Sequence, residues 1–319
     1  MTTTPHAAHG FVDEPGAGTS DKPATTPAGG RRTRRDKLLV LLATPAVLWY
    51  AVFTIGPLGA VFYIALLDWE GLLSPSTFVG LDNFTKILHD PVFWTAAKNS
   101  LIQIGVVIPV MIPLAFMLGY YLTLEPRGHH LLRVILFTPA LVSLSAKAMV
   151  FLAVFAPSGA LNGLLDLLHL DSLTRPWLAN EATALPSVIA VDLWSGIGFT
   201  AILFSARLSS ISREVYEAAR IDGAGHWRRM WRIAFPMTED YFGVLAMLQF
   251  LWVLFSSAGS VLLLTGGGPG NASTTLSFLI YDKAFTQSEV GYSQATGVLL
   301  FFVGVVGMAG IRSLFRQRY

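Results

Sequence analysis

Cysteine is absent from the 319 residues, and charged residues make up only 13% of them. The absence of thiols excludes disulfides, iron–sulfur clusters and cysteine-based zinc sites. The charged share is about half that of an ordinary soluble domain, so the chain has too few charges to cover a surface that faces water. Hydrophobic residues account for 53% of the chain, and lipid is therefore the expected surrounding of most of it.

A phosphate-binding loop is also missing. No G-x-x-x-x-G-K-[ST] sequence occurs, and the glycine-rich stretch at 266–270 has no lysine after it, so another polypeptide would have to hydrolyse any ATP. The sequence pairs no nucleophile with a base, and its histidines do not form a cluster of metal ligands. We therefore expect no catalytic residues, no metal, no cofactor and no nucleic-acid partner.

The N-terminal residues differ from the rest of the chain. Residues 1–37 are rich in Thr, Ala, Pro and Gly and end in a basic run, which predicts a disordered, basic cytoplasmic tail. A secretory signal would also have positive charge before an apolar run, but the run from Leu38 to Leu67 is too long for one. We therefore predict an uncleaved first transmembrane helix and a transmembrane domain over residues 38–319.

Six segments are long and apolar enough to cross a bilayer of about 30 Å. They are Leu38–Leu67, about Leu101–Leu122, about Val134–Phe155, about Leu185–Phe204, about Phe242–Leu264 and about Ala295–Leu314. Prolines inside four of these stretches are compatible with membrane helices. The sequence therefore predicts an all-α integral membrane fold with six transmembrane helices.

The distribution of Lys and Arg predicts the orientation of these spans. Six lie in the N-terminal tail, six in the fourth connection and three at the C-terminus, but only one or two in each other connection. Because basic residues collect on the cytoplasmic side, both termini and connections two and four are expected there. Connections one, three and five are then expected outside.

The fourth connection, residues 207–241, is the longest stretch predicted to face the cytoplasm between spans. Ser212 is a plausible N-cap of a short helix, and Gly223 can end it with a positive φ. A second helix is expected from about 225 to 235, with Trp227, Met230, Trp231 and Ala234 on one face. An amphipathic hairpin that lies on the membrane without a partner would have the same pattern.

The fourth connection resembles the EAA loop of binding-protein-dependent ABC importer permeases. The matching residues are Glu217, Ala218, Ala219, Gly223, Ile233 and Pro236. Phe235 stands where that family usually has Leu. Three further stretches resemble the maltose and glycerol-3-phosphate branch: Phe78–Phe84, Leu264–Pro269 with Thr274, and Gly291–Ala295. The resemblance covers about residues 38–315.

The resemblance implies a type I permease fold in the plasma membrane of a bacterium, with a coupling helix between spans four and five. Glu217 would pair with a base on a separate ATPase, Ala218 and Ala219 would permit close packing, and Gly223 would set the turn. The implied partners are a second permease, two ATPase subunits and an external solute-binding protein. The implied function is carbohydrate import by alternating access.

Polar residues inside the predicted spans are candidates for the cargo pathway, and they are Lys147, Asp192, Trp194, Ser195, Gln249, Trp252 and Ser256. Lys147 and Asp192 fall in the same half of neighbouring spans, so they could form a buried pair. A purely structural ion pair, or snorkelling side chains, would explain both equally well. Hydrogen bonding between helices would likewise explain the group around Gln249.

Two other functions remain compatible with a six-span protein. An ion-coupled secondary transporter would be favoured by repeats between the chain halves, and the sequence shows none. A membrane scaffold without cargo would be favoured if the chain purified without any ATPase.

Overall fold

The computed structural model describes residues 32–71 and 73–315, with side chains from residue 41 onward. Its helices are α1 Arg32–Tyr50, α2 Gly56–Ile64, α3 Asp82–His89, α4 Pro91–Thr123, α5 His129–Leu141, α6 Leu144–Val154, α7 Ala160–Leu167, α8 Ala184–Leu208, α9 Arg213–Ile221, α10 His226–Arg229, α11 Glu239–Ser256, α12 Ala258–Leu264, α13 Leu276–Phe285 and α14 Val290–Leu314. Two short antiparallel strands, β1 Leu67–Asp68 and β2 Thr77–Phe78, pair Leu67 with Phe78. The predicted all-α class is confirmed.

Five continuous helical stretches within the described residues are long and apolar enough to cross a membrane. They are Leu41–Ile64, Pro91–Thr123, Ala184–Leu208, Pro236–Ser256 and Val290–Leu314. The second begins ten residues before the predicted Leu101, because Pro91 occupies the first turn and the Asp90 carboxylate caps it by accepting from the Val92 amide at 2.8 Å. The fourth stretch corresponds to the predicted fifth span, about Phe242–Leu264, but it ends at Ser256, where a turn at Ser257 separates α11 from α12.

The predicted third span, residues 134–155, is two helices rather than one. Helices α5 and α6 meet at an angle of 98°. Val142 and Ser143 between them have extended backbone, and the Ser143 hydroxyl caps α6 by accepting from the Ala146 amide at 3.3 Å. The chain therefore has six spans only if this bent pair is counted as one.

The α4–α8 pair lies at the centre of the fold. Gly119 on α4 lies against the backbone of α8, where an added Cβ would stand 2.7 Å from the Ala201 carbonyl oxygen. Beside it, the ring of Phe116 packs on Phe204 of α8 at 5.5 Å and on Phe242 of α11 at 4.8 Å. Small residues let membrane helices approach closely, and aromatic rings fill the space next to the contact.

Within the described residues, 32–55 form a unit separate from the one that begins at Gly56. Its described part is α1, which contains Pro45, and a π-helical turn over Ala51–Ile55. The predicted tail of residues 1–37 lies mostly outside the described residues. Only Arg32–Lys37 are described, as the first turns of α1, so the boundary at residue 37 stays a prediction.

Gly198 tests the close packing of α5 on α8. A Cβ added there would collide with the backbone carbonyl of Leu136. We expect Gly198→Ala to lower the free energy of unfolding by about 1–3 kcal/mol, because a backbone atom cannot move aside as a side chain can. Thermal unfolding of the purified chain in detergent measures the effect.

Gly105→Ala is the matched control, because nothing lies within 4 Å of the corresponding Cβ. If the Gly105 variant lost as much stability as the Gly198 variant, the close packing of α5 on α8 at Gly198 would be contradicted.

Candidate functional site

The connection between α8 and α11 begins with α9, which is terminated as the sequence predicts. Gly223 has φ of +76°, in the left-handed region. The Gly223 amide donates to the Arg220 carbonyl at 3.0 Å, and the Ala224 amide donates to the Ala219 carbonyl at 2.8 Å. This pair of bonds is the Schellman motif. Ser212 occupies the N-cap position but makes no side-chain capping bond.

The surface of α9 is charged and open. Glu217 and Ala218 are both exposed, and Ile221 is 87% exposed. The Glu217 carboxylate accepts from Arg213 at 3.0 Å across one helical turn, a contact that contributes little in water. Ala219, in contrast, is buried within the chain, so Ala218 alone of the two alanines offers a small-residue surface to a partner.

The second half of the connection is anchored in the bundle. Residues 230–234 form a π-helical turn rather than a continuation of α10. Met230 and Ala234 are buried, and the Trp231 ring packs on Phe116 of α4 at 5.6 Å. Ile233 is half-buried, and Pro236 starts a short 3-10 turn that leads into α11.

Two residues of this segment differ from the expected pattern. Trp227 does not join the buried face and is 64% exposed. Arg229 is only 8% exposed, whereas the neighbouring Arg228 and Arg232 are exposed as is usual for charged residues. The switch from α-helix to π-helix after Arg229 changes which side chains share a face, and the period of 3.6 residues does not anticipate it.

Asp192 is buried in α8, where one hydroxyl and one side-chain amide donate hydrogen bonds to its carboxylate. It accepts from Ser260 Oγ at 2.7 Å and from Gln103 Nε2 at 2.9 Å. No ion pair within 4 Å joins it to Lys147 among the described residues, although the two charges are close enough to interact electrostatically. The partners of Asp192 therefore come from α4 and α12 rather than from α6.

The other pathway candidates do not form one site. Gln249 donates to the Thr200 hydroxyl at 3.2 Å. Trp252 and Ser256 instead line an open cavity of about 430 Å³ with Phe301 and Gly304 of α14.

Trp194 is exposed on α8 and stacks edge-on against Phe151 at 5.1 Å, while its neighbour Ser195 is half-buried. Sequence reasoning missed Gln103, Thr200 and Ser260 as partners. Gln103 could have been noticed as an amide within an apolar span, but its contact with Asp192 spans 89 residues of sequence.

Helices long and apolar enough to cross a bilayer, one of them bent, with an exposed helix between two of them, define the class of multi-pass membrane proteins. Residues 100–319 match the family described as "Binding-protein-dependent transport system inner membrane component". The chain belongs to this family of transport permease subunits, so the resemblance stated from the sequence is confirmed.

Similar proteins share most of their length with this chain. The diacetylchitobiose uptake system permease protein NgcF of Streptomyces coelicolor is 32% identical, over 92% of this chain and 88% of its own. The sn-glycerol-3-phosphate transport system permease protein UgpA of Yersinia enterocolitica is 32% identical, over 87% of this chain and 93% of its own.

The fold also matches a solved structure. A chain in the crystal structure of a bacterial alginate ABC transporter, in complex with an alginate pentasaccharide-bound periplasmic protein, superposes with a TM-score of 0.77. It is 23% identical and covers 89% of this chain and 95% of its own. The type I permease fold of these importers is therefore confirmed.

Asp192 offers a test of the buried polar contacts. We expect Asp192→Leu to lower the free energy of unfolding by about 1–3 kcal/mol, because the Gln103 amide loses its acceptor in an apolar place. We expect Asp192→Asn to lose less, since the Gln103 amide can rotate and accept from the new side chain. Chemical or thermal unfolding in detergent measures both. An Asp192→Leu variant as stable as the wild type would show that the contact contributes nothing.

Proposed function

We propose that this chain is the membrane-spanning subunit of an ATP-driven importer, and that α9 is the helix through which separate ATPase subunits move it. The exposed α9 surface between spans four and five carries the proposal. Glu217 and Ala218 face outward on a helix that a Schellman motif ends. A helix with this exposed charge and no described partner for its outer face is suited to docking in a cleft of another protein.

The anchoring of the connection explains how movement of α9 would reach the spans. The segment after Gly223 packs through Met230, Ala234 and Trp231 on the cluster around Phe116. That cluster joins α4, α8 and α11. A displacement of α9 would therefore shift three spans together, as rigid-body alternating access requires. Ile233 lies in the π-helical turn and Pro236 begins the 3-10 turn that leads into α11.

A carbohydrate is the proposed cargo. Two relatives are named for import of diacetylchitobiose and of sn-glycerol-3-phosphate, and the structural neighbour is named for alginate. Sugars are bound by aromatic faces together with hydrogen-bonding groups, and Trp252 with Ser256 presents that combination beside an open cavity. Trp194 and Ser195 offer the same pair on α8. Asp192 and Gln249 also make hydrogen bonds between helices, and Lys147 stays a candidate for the cargo pathway.

The proposed assembly contains a second, similar permease, two ATPase subunits and an external solute-binding protein. Both termini and the α9 connection would face the cytoplasm, following the distribution of Lys and Arg. Connections one, three and five would meet the solute-binding protein. ATP hydrolysis would take place entirely in the partner subunits.

The energy source tests this proposal against a secondary transporter. Uptake by cells that express the whole system should continue after the proton gradient is collapsed and should stop when ATP is depleted. Uptake that followed the gradient instead would overturn the proposal. Purification of the chain without any ATPase, under conditions that preserve such complexes, would favour a scaffold.

The α9 assignment makes a prediction about two residues. Glu217→Arg would place like charges at the proposed contact, and Gly223→Pro cannot adopt a φ of +76°. We expect each to reduce uptake at least about tenfold, since an unpaired charge at an interface costs about 2–5 kcal/mol. Uptake of labelled sugar, normalised to the amount of the chain in the membrane, measures the effect.

Glu214→Arg is the matched control, because it makes the same charge reversal in the first turn of the same helix. Equal losses at both positions would show that net charge matters rather than the position of Glu217. A sugar-binding assay on the partner solute-binding protein would identify the cargo.

A further inference from the structure

Three buried polar atoms without partners converge behind α9. They are the hydroxyl oxygens of Tyr120 and Tyr216 and the Nε of Arg229. These residues come from α4, α9 and α10, and Arg229 interacts electrostatically with both tyrosines. A buried donor without an acceptor is costly, and most such groups in proteins are satisfied. Three donors together indicate that something with acceptor atoms belongs between them.

The cavity that these residues line has a volume of about 370 Å³ and is positively charged. Arg220 and Arg229 both line it and make no ion pair among the described residues. Arg213 also lines it but is paired with Glu217. Glu125 is the one other acidic residue in the described lining, so the charges sum to about one positive. The Arg229 guanidinium donates a hydrogen bond to His226 Nδ1 at 3.2 Å.

The Tyr216 hydroxyl stays neutral there, so it can donate a hydrogen bond. Burial is the main cause that raises the pKa of Tyr216 to about 12, and the nearby Tyr120 adds to the rise. The positive charge of Arg229 opposes it. At neutral pH the Tyr216 hydroxyl therefore keeps its proton and is available to an anion. Phosphate and carboxylate oxygens are the acceptors with which arginine forms its strongest hydrogen bonds.

An apolar groove of about 430 Å³ adjoins the cavity. Tyr120 and Leu124 form part of the wall of both, and the groove continues along Leu114, Met117 and Leu118 of α4. The exposed Trp227 ring stands at its edge. Tryptophan is typical of the boundary between lipid and water, and this end of α4 is the end predicted to be cytoplasmic.

We propose that the cavity and the groove together form a binding site for an anionic phospholipid of the cytoplasmic leaflet. The headgroup phosphate lies between Arg229, Tyr120 and Tyr216, and an acyl chain follows the groove along α4. A free phosphate would use the cavity but not the groove. An acidic segment of a protein partner would match the charge, but it would leave the apolar groove empty. The site lies directly beneath α9, so its occupant stiffens the support of that helix.

Lipid binding to the purified full-length chain tests the proposal. After delipidation in detergent, native mass spectrometry would measure the binding of phosphatidylglycerol and of phosphatidylcholine with identical acyl chains. We expect phosphatidylglycerol to bind more tightly, and Arg229→Gln to weaken it at least about tenfold, as loss of a charged hydrogen bond predicts. Arg228→Gln should change nothing, because Arg228 is exposed and lines neither cavity nor groove.

A second variant guards against misfolding of the buried arginine. Tyr120→Phe with Tyr216→Phe removes only two oxygen atoms, and it should weaken phosphatidylglycerol binding several-fold without lowering the unfolding temperature. Equal binding of both lipids, or no loss in either variant, would overturn the proposal. Millimolar inorganic phosphate that displaced the lipid completely would identify a free-anion site instead. Loss of a co-purifying ATPase from Arg229→Gln, with lipid binding intact, would assign the site to a protein.

Discussion

The close contact between α4 and α8 is the constraint on which the rest of this structure depends. Inside a bilayer, lipid tails are as apolar as leucine, so helices associate through packing and hydrogen bonds rather than through the hydrophobic effect. Gly119 allows the backbones to approach, and the rings of Phe116, Phe204 and Phe242 fill the adjoining space. The ring of Phe116 also packs against Trp231 from the connection, so the connection and the spans share one cluster.

Polar side chains add further connections between the helices of the aromatic cluster and extend them to α12. Asp192 joins α8 to α4 through Gln103 and to α12 through Ser260. Gln249 joins α11 to α8 through Thr200. A polar group left unpaired in any of these buried places would cost free energy. The bonds therefore favour the one register of the spans in which all of them form. Asp192 and Gln249 therefore connect helices, and their place in a cargo pathway stays a prediction.

The positions of the spans and the ends of α9 could be predicted because both depend on local sequence. Apolar length fixes a span, and a glycine at the end of a helix permits the φ that Gly223 adopts. The bend at Val142 could not be predicted, since proline-containing membrane helices are often straight enough to continue. The two partners of Asp192 lie far away in the sequence. The burial of Arg229 depends on the π-helical turn that follows it. Periodicity reveals neither.

The bend between α5 and α6 has a consequence for the chain in its bilayer. Backbone groups released from a helix at membrane depth are tolerated only where protein or water covers them. Leu141, next to the bend, is 70% exposed, but the amides around it keep their acceptors. The Val142 amide donates to the Thr138 carbonyl at 3.3 Å, and the Ser143 carbonyl and hydroxyl accept from Lys147 and Ala146. The chain therefore changes direction by 98° with local hydrogen bonds on both sides of the corner, so the corner itself adds few unpaired amides.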